Sequence, residues 1–183
     1  MTHPELSRLL EALNAAPGDE VLWLAVADWL EENGEPDRAE LLRLDRRLRG
    51  ITSGTRRRKI EDRLRELVNA GVRPCVPEVV NSIGMRFSLI TAGTFMMGSP
   101  ADEDERASHE VLHQVTLTRP FWLAIVPLTR AQWRAVMGAG HRWFGEDKRK
   151  DAGSRPVVMV PWSEAVGFCA TLSARLEERE AGH

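Results

Sequence analysis

The sequence predicts an α+β protein in which a small helical bundle precedes a mixed domain of strands and helices. Three observations carry that expectation. Up to about residue 72 the apolar residues recur with the 3.6-residue period of amphipathic helices. The stretch VRPCVP, Val72 to Pro77, then places two prolines where they restrict the backbone and remove ladder donors. Beyond it the period drops to two before further helical segments appear.

Taken in order, Leu6, Leu9, Leu10 and Leu13 fall at i, i+3, i+4 and i+7, one face of a first helix. Pro17-Gly18 ends it, and Asp19 is placed to cap a second helix whose stripe is Leu22, Ala25, Val26, Trp29 and Leu30. Gly34 supplies a left-handed stop and Pro36 suits a first helical turn. A third helix carries Leu41, Leu44 and Leu48 before Gly50. A fourth carries Ile60, Leu64, Leu67 and Val68 and ends at Gly71. Short connections between four short helices make a small bundle.

In the second half Met85, Phe87 and Leu89 alternate with Arg86, Ser88 and Ile90, a strand. TAGT reads as a turn from which FMMG returns as a strand. Val115 and Leu117 alternate with Thr116 and Thr118, and FWLAIV is a further apolar strand. Thr129 is placed to cap the helix RAQWRAVM, closed by Gly138. Ser163 is placed to cap a longer helix with the stripe Ala165, Phe168, Cys169, Leu172 and Leu176. The expected organisation is a helical module at 1–72, a linker at 73–78 and a second domain at 79–183.

Composition and charge bound the function. Hydrophobic residues at 43% and charged residues at 28% are those of a soluble globular chain. A net charge of -2 gives no global attraction to nucleic acid or to an anionic membrane. Residues 1–42 hold ten acids against two bases, whereas residues 43–65 hold ten bases, including the run Arg56-Arg57-Arg58-Lys59. No aromatic interleaves that run to stack on bases, and the acidic half repels phosphate, so a solvated, internally compensated helix face is expected rather than a nucleic-acid site. Two distant cysteines, Cys75 and Cys169, form no C-x-x-C and suit buried thiols in a reducing compartment. The N-terminus lacks a signal-peptide apolar region and no run reaches the length of a membrane span, so the expected location is the cytoplasm. The six tryptophans, with no tyrosine, are expected to be core anchors.

His109-Glu110-Val111-Leu112-His113 matches H-E-x-x-H letter for letter. Zinc-protease chemistry needs that pattern on a helix, where residues four apart share a face and both imidazoles reach one metal. Here His113 runs into QVTLT, whose β-branching and alternation argue strand. In an extended chain the two histidines stand roughly 13 Å apart, beyond what two zinc–nitrogen bonds can span. Glu146 and Asp147 offer no third ligand at useful spacing, and Asp102-x-Asp104 lacks the glycine and terminal glutamate of a calcium loop. No phosphate-binding, dinucleotide-binding or nucleophile-elbow motif occurs. No catalytic, cofactor-binding or metal-binding residue is assigned.

Four segments in order carry a family resemblance: Gly93-Thr94-Phe95-Met96-Met97-Gly98; the H-x-V-x-L run from His113 to Leu117; Leu128 to Trp133, reading LTRAQW; and Pro156 to Ala165, reading PVVMVPWSEA. Together they resemble the opening of the formylglycine-generating enzyme, or sulfatase-modifying factor, family over about residues 79–180. The resemblance implies a C-type-lectin-like α+β domain and makes H-E-x-x-H incidental, because His113 belongs to the H-x-V-x-L strand. In that family a stretch like R-L-P-T-E-A-E-W-E follows, then calcium loops and a late cysteine pair that binds copper. The present sequence ends at EEREAGH without them, and neither Cys75 nor Cys169 sits in such a context. The expectation is therefore a truncated family domain without independent oxidase activity. The alternative is a protein- or ligand-binding module on a lectin-like fold, and a zinc protease is the least supported reading. The front of the chain, through Asp28, Trp29, Gly34, Arg38 and Glu40, resembles a bacterial repeat-companion module. That resemblance implies a possible protein partner, with Arg38 and Glu40 as structural ion-pair partners; the incomplete domain implies possible self-association.

Overall fold

Caps and prolines set where the helices begin. In the computed structural model, which describes residues 3–51, 54–101, 103–138 and 152–175, helix α1 (Pro4–Ala15) starts with a proline in its first turn while the His3 ring accepts from the Glu5 amide. Helix α2 (Glu20–Glu32) is capped by the Asp19 carboxylate, which accepts from the Val21 and Leu22 amides. Gly34 turns the chain at φ +82, and α3 (Pro36–Leu48) again begins on proline. Helix α4 (Thr55–Asn69) stops before Gly71, at φ +85. Each of these starts and stops falls where local chemistry places it.

The chain divides into two compact units, Met1–Pro77 with Leu89–Phe121, and Glu78–Ser88 with Trp122–His183. In the first unit α1, α2 and α3 enclose a core of Leu6, Leu13, Trp23, Val26, Trp29 and Leu30. The α3–α4 layer adds Leu41, Leu44, Ile60 and Leu67. The expected stripes hold, but Ala39 and Leu42 of α3 are buried as well, and two further differences stand out. Trp23 and Ala27 are also buried, because α2 is covered on a wider arc than one stripe. Val68 stays exposed, since α4 packs on one side only. Cys75 lies in the α1–α2–α3 core at 2% exposure, with Val76 packed against it.

Strands β3 (Gly93–Met97) and β4 (His113–Leu117) complete the first unit as an antiparallel pair, with Phe95 opposite Val115 and Thr94 opposite Thr116. The Thr94 and Thr116 hydroxyls lie 3.2 Å apart. The sequence led to the expectation that β3 returns from the preceding strand, β2 (Arg86–Ile90), but β2 instead pairs with β1 (Glu78–Val80) and β5 (Phe121–Ala124). Period-two alternation identifies a strand; it does not choose the strand's neighbour.

In the second unit β1 and β2 run antiparallel, with Val79 opposite Phe87. Helix α5 (Arg130–Met137) and helix α6 (Trp162–Ser173) follow. Their shared core is Met85, Trp133 and Phe168, flanked by Phe87, Leu128, Val157 and Leu172. The Trp133 and Phe168 rings stack at 5.2 Å and 11°. Helix α6 begins at Trp162, not after Ser163: Pro161 holds the N-cap position in extended geometry without a side-chain cap. Of the expected α6 stripe, Phe168 is buried and Leu172 half-buried, Cys169 is exposed, and Leu176 lies outside the described residues.

Candidate functional site

The H-E-x-x-H segment is not helical. His109 lies in a turn, Val111 makes an isolated bridge to Ser99, and only His113 enters β4. Glu110 serves this loop: its carboxylate accepts from the Ser99 hydroxyl at 3.0 Å and from the Ala107 amide at 3.3 Å. The Arg106 guanidinium donates to the Ser99 and Glu110 carbonyls at 3.0 and 3.2 Å. The His113 ring pairs with the Val111 carbonyl at 2.7 Å. Glutamate and second histidine are thus committed to loop geometry. Among the described residues no three His, Cys, Asp or Glu side chains are grouped as a metal site; Asp102, Glu146 and Asp147 lie outside them.

Of the four quoted segments, His113 to Leu117 is strand β4 itself, and the other three have local roles. Gly98 turns out of β3 at φ +103, and a Cβ there would stand 2.4 Å from the Val111 carbonyl oxygen. A side chain there is strained both sterically and conformationally. Thr129 and Gln132 form a reciprocal capping box on α5: the Thr129 hydroxyl accepts from the Gln132 amide, and the Gln132 side chain accepts from the Thr129 amide at 3.0 Å. The Gln132 amide group also donates to the Gly84 carbonyl at 3.3 Å. Pro156 bridges Thr129, and the Val157 amide donates to the Leu128 carbonyl at 2.8 Å. Val157 and Val160 point into the core beside Trp133, whereas Met159 takes a positive φ of +57 and is exposed.

The basic run is internally compensated in part. Arg57 is buried, pairs with Glu61 at 2.7 Å and donates to the Ile51 carbonyl. Arg43 pairs with Asp28 and Glu31, which raises its pKa, and Arg63 holds Glu40 in a two-point contact. That hydrogen bond draws the Glu40 carboxyl below its ordinary range, and the Glu40 and Glu66 contacts raise Arg63. Arg38 and Glu40 are both ion-paired, with Glu35 and Arg63 respectively and not with each other.

The second unit holds an apolar cavity of about 210 Å³ lined by Val79, Asn81, Phe87, Trp122, Cys169, Leu172 and Ser173. Its buried amide is occupied locally, because the Asn81 side-chain oxygen accepts from the Ile83 and Met85 amides at 3.2 and 2.9 Å and shapes the β1–β2 turn. Sequence reasoning assigned no role to Asn81. Its signal was an asparagine starting the tetrapeptide NSIG, a side-chain-stabilised turn whose Gly84 takes φ +73.

An α+β frame bearing these four segments in order, with a helical bundle before it, defines a protein of the sulfatase-modifying-factor class. A model of the sulfatase-modifying factor enzyme 1-like domain matches residues 77–181, and the chain belongs to that family. The solved structure of PvdO from Pseudomonas aeruginosa is similar at 23% identity and a TM-score of 0.45, over 52% of this chain and 42% of PvdO. The chain thus spans less than half the length of that protein. No curated protein matches it.

Proposed function

We propose that this chain is a sulfatase-modifying-factor family protein that does not oxidise cysteine by itself. The observation supporting this is the state of its two thiols. The family's oxidase chemistry, as the resemblance implies, uses a cysteine pair that binds copper. Cys75 is sealed in the helical core of the first unit, and Cys169 stands exposed on α6 of the second. A buried thiol among leucines offers no metal access and no route to the thiolate, so these residues do not fit that group. The test is to incubate the purified chain with Cu(I), oxygen and a sulfatase-type peptide, and to follow the peptide by mass spectrometry. No conversion to formylglycine is expected; conversion abolished by Cys169→Ser would overturn the reading.

A second reading, a binding module, is favoured by the exposed apolar side chains of the second unit and by its cavity. Trp162 is 80% exposed and Met159 70%. Exposed large apolar groups of this kind mark contact surfaces. Under this reading the helical part acts as a repeat-companion module for a protein partner in the cytoplasm, and nucleic acid is not a ligand. No helix among the described residues is long and apolar enough to cross a membrane. Ordinary fluorescence mixes the signals of six tryptophans, so a titration with a fluorinated indole read at Trp162 suits the test: a shift on adding a cell fraction supports binding, and no shift with any fraction counts against it.

A further inference from the structure

Two arginines one turn apart at the end of α3, Arg46 in its last turn and Arg49 at its C-cap, converge on one buried hydroxyl. Thr91 lies just after β2 and is 5% exposed. Its Oγ1 accepts from Arg46 Nη1 at 3.3 Å and from Arg49 Nη1 in a short contact. Arg49 Nη1 also donates to the Ala92 carbonyl at 2.9 Å. Each guanidinium is held from behind by the bundle. Arg46 donates to the Glu20 carboxylate at the start of α2 and lies over the Trp23 ring at 4.9 Å. Arg49 donates to Asp45, four residues back on α3, at 3.2 Å. The next residue, Gly93, approaches so closely that a Cβ would stand 3.2 Å from Arg49 Nη1.

We propose that α3 is a clamp on the turn that launches the β3–β4 hairpin, so that the helical module and this hairpin open and close as one cooperative unit. The module's work is then intramolecular: it braces the first hairpin of the family domain. The chemistry favours a discrete latch. A guanidinium taken out of water is tolerated only when its donors are satisfied. Here carboxylates satisfy them on the bundle side, and Thr91 with Ala92 satisfies them on the turn side. Removing the hydroxyl leaves half-buried cationic donors facing a methyl group, and hydrogen bonds to charged groups are among the stronger ones. The compact unit formed by Met1–Pro77 and Leu89–Phe121 is the arrangement such a clamp produces. The Leu89 amide, which donates to the Pro77 carbonyl at 3.0 Å, adds a backbone tie within the same unit.

The experiment is hydrogen exchange on the full chain, comparing the native protein with Thr91→Val and Thr91→Ser. In Thr91→Val, amide exchange across α3, β3 and β4 should accelerate together, by about tenfold for a lost hydrogen bond to charge. Thr91→Ser keeps the hydroxyl and should exchange as the native chain does. Acceleration confined to residues 90–93, or unchanged exchange in β3 and β4, overturns the clamp. So does equal acceleration by serine, which would assign the effect to methyl packing. Should Thr91→Val not fold, Arg49→Gln reads the same contact from the other side, with the α3 core residues Leu41, Leu42 and Leu44 untouched, and the same outcomes decide.

Discussion

At Gly98 the chain leaves β3 with φ +103 and passes so near the Val111 backbone that a methyl group would collide with its carbonyl. Left-handed strain and overpacking add, so Gly98→Ala should destabilise the protein by about 2–4 kcal/mol. At Gly153 an added Cβ would meet only the Ala131 methyl at 3.5 Å, so Gly153→Ala should stay within about 0.5 kcal/mol. Urea midpoints measured in parallel check both. The G-x-F-x-M-G letters were legible in the sequence, but their cause was not, because Val111 comes near only once β3 and β4 have paired. The cysteines tell the same story: Cys75 read as part of a connector, and a non-local core encloses it. Only Cys169 should react with an aromatic disulfide reagent in the native chain, Cys75 following on unfolding. Two fast thiols would show the bundle core to be open.

Elements whose boundaries are set by neighbouring residues were legible. The α5 start is a Thr-x-x-Gln box complete within one turn, and Thr129→Ala should cost about 1 kcal/mol of stability. Ser163→Ala should change little, because α6 begins at Trp162 behind Pro161 and the serine caps nothing; a cost equal to that of Thr129→Ala would restore the serine cap. The three-residue β1 was missed because so short a strand exists only through its pairing with β2. The α3–α4 contact brings a pH dependence. Arg63 lowers the Glu40 pKa in the folded chain, so this contribution is present above the ordinary glutamate range and is lost as pH falls through the lowered value. Both groups are exposed, so the effect is small and screened by salt. The acid limb of a stability–pH curve should flatten slightly in Glu40→Gln, and more visibly at low ionic strength.

At the scale of the whole molecule, the change from a 3.6 to a 2.0 period located the two kinds of structure, yet the compact units do not follow it. Leu89–Phe121, which lies in the family-matched region, groups with the helices, and the contacts of Arg46 and Arg49 with Thr91 that help to join them link residues far apart in sequence. Binary patterning describes faces, not partners, and such a link leaves no periodic trace. The outer surface of the second unit leads to the last expectation. Val158 and Met159 are exposed in the loop before α6, Trp162 and Val166 lie one turn apart on that helix, and Leu123 and Val126 are exposed at and just after β5. Scattered apolar side chains are ordinary on a surface, but a tryptophan and a methionine this open, with further apolar neighbours in sequence, favour contact with another apolar surface. The full chain should therefore bind a hydrophobic dye and sediment with a mass that rises with concentration. Met159→Ser with Trp162→Ser should reduce both, without shifting the urea midpoint, because neither side chain is buried. A chain that stays monomeric at every concentration and leaves the dye dark would show that these residues are solvated singly and form no contact surface.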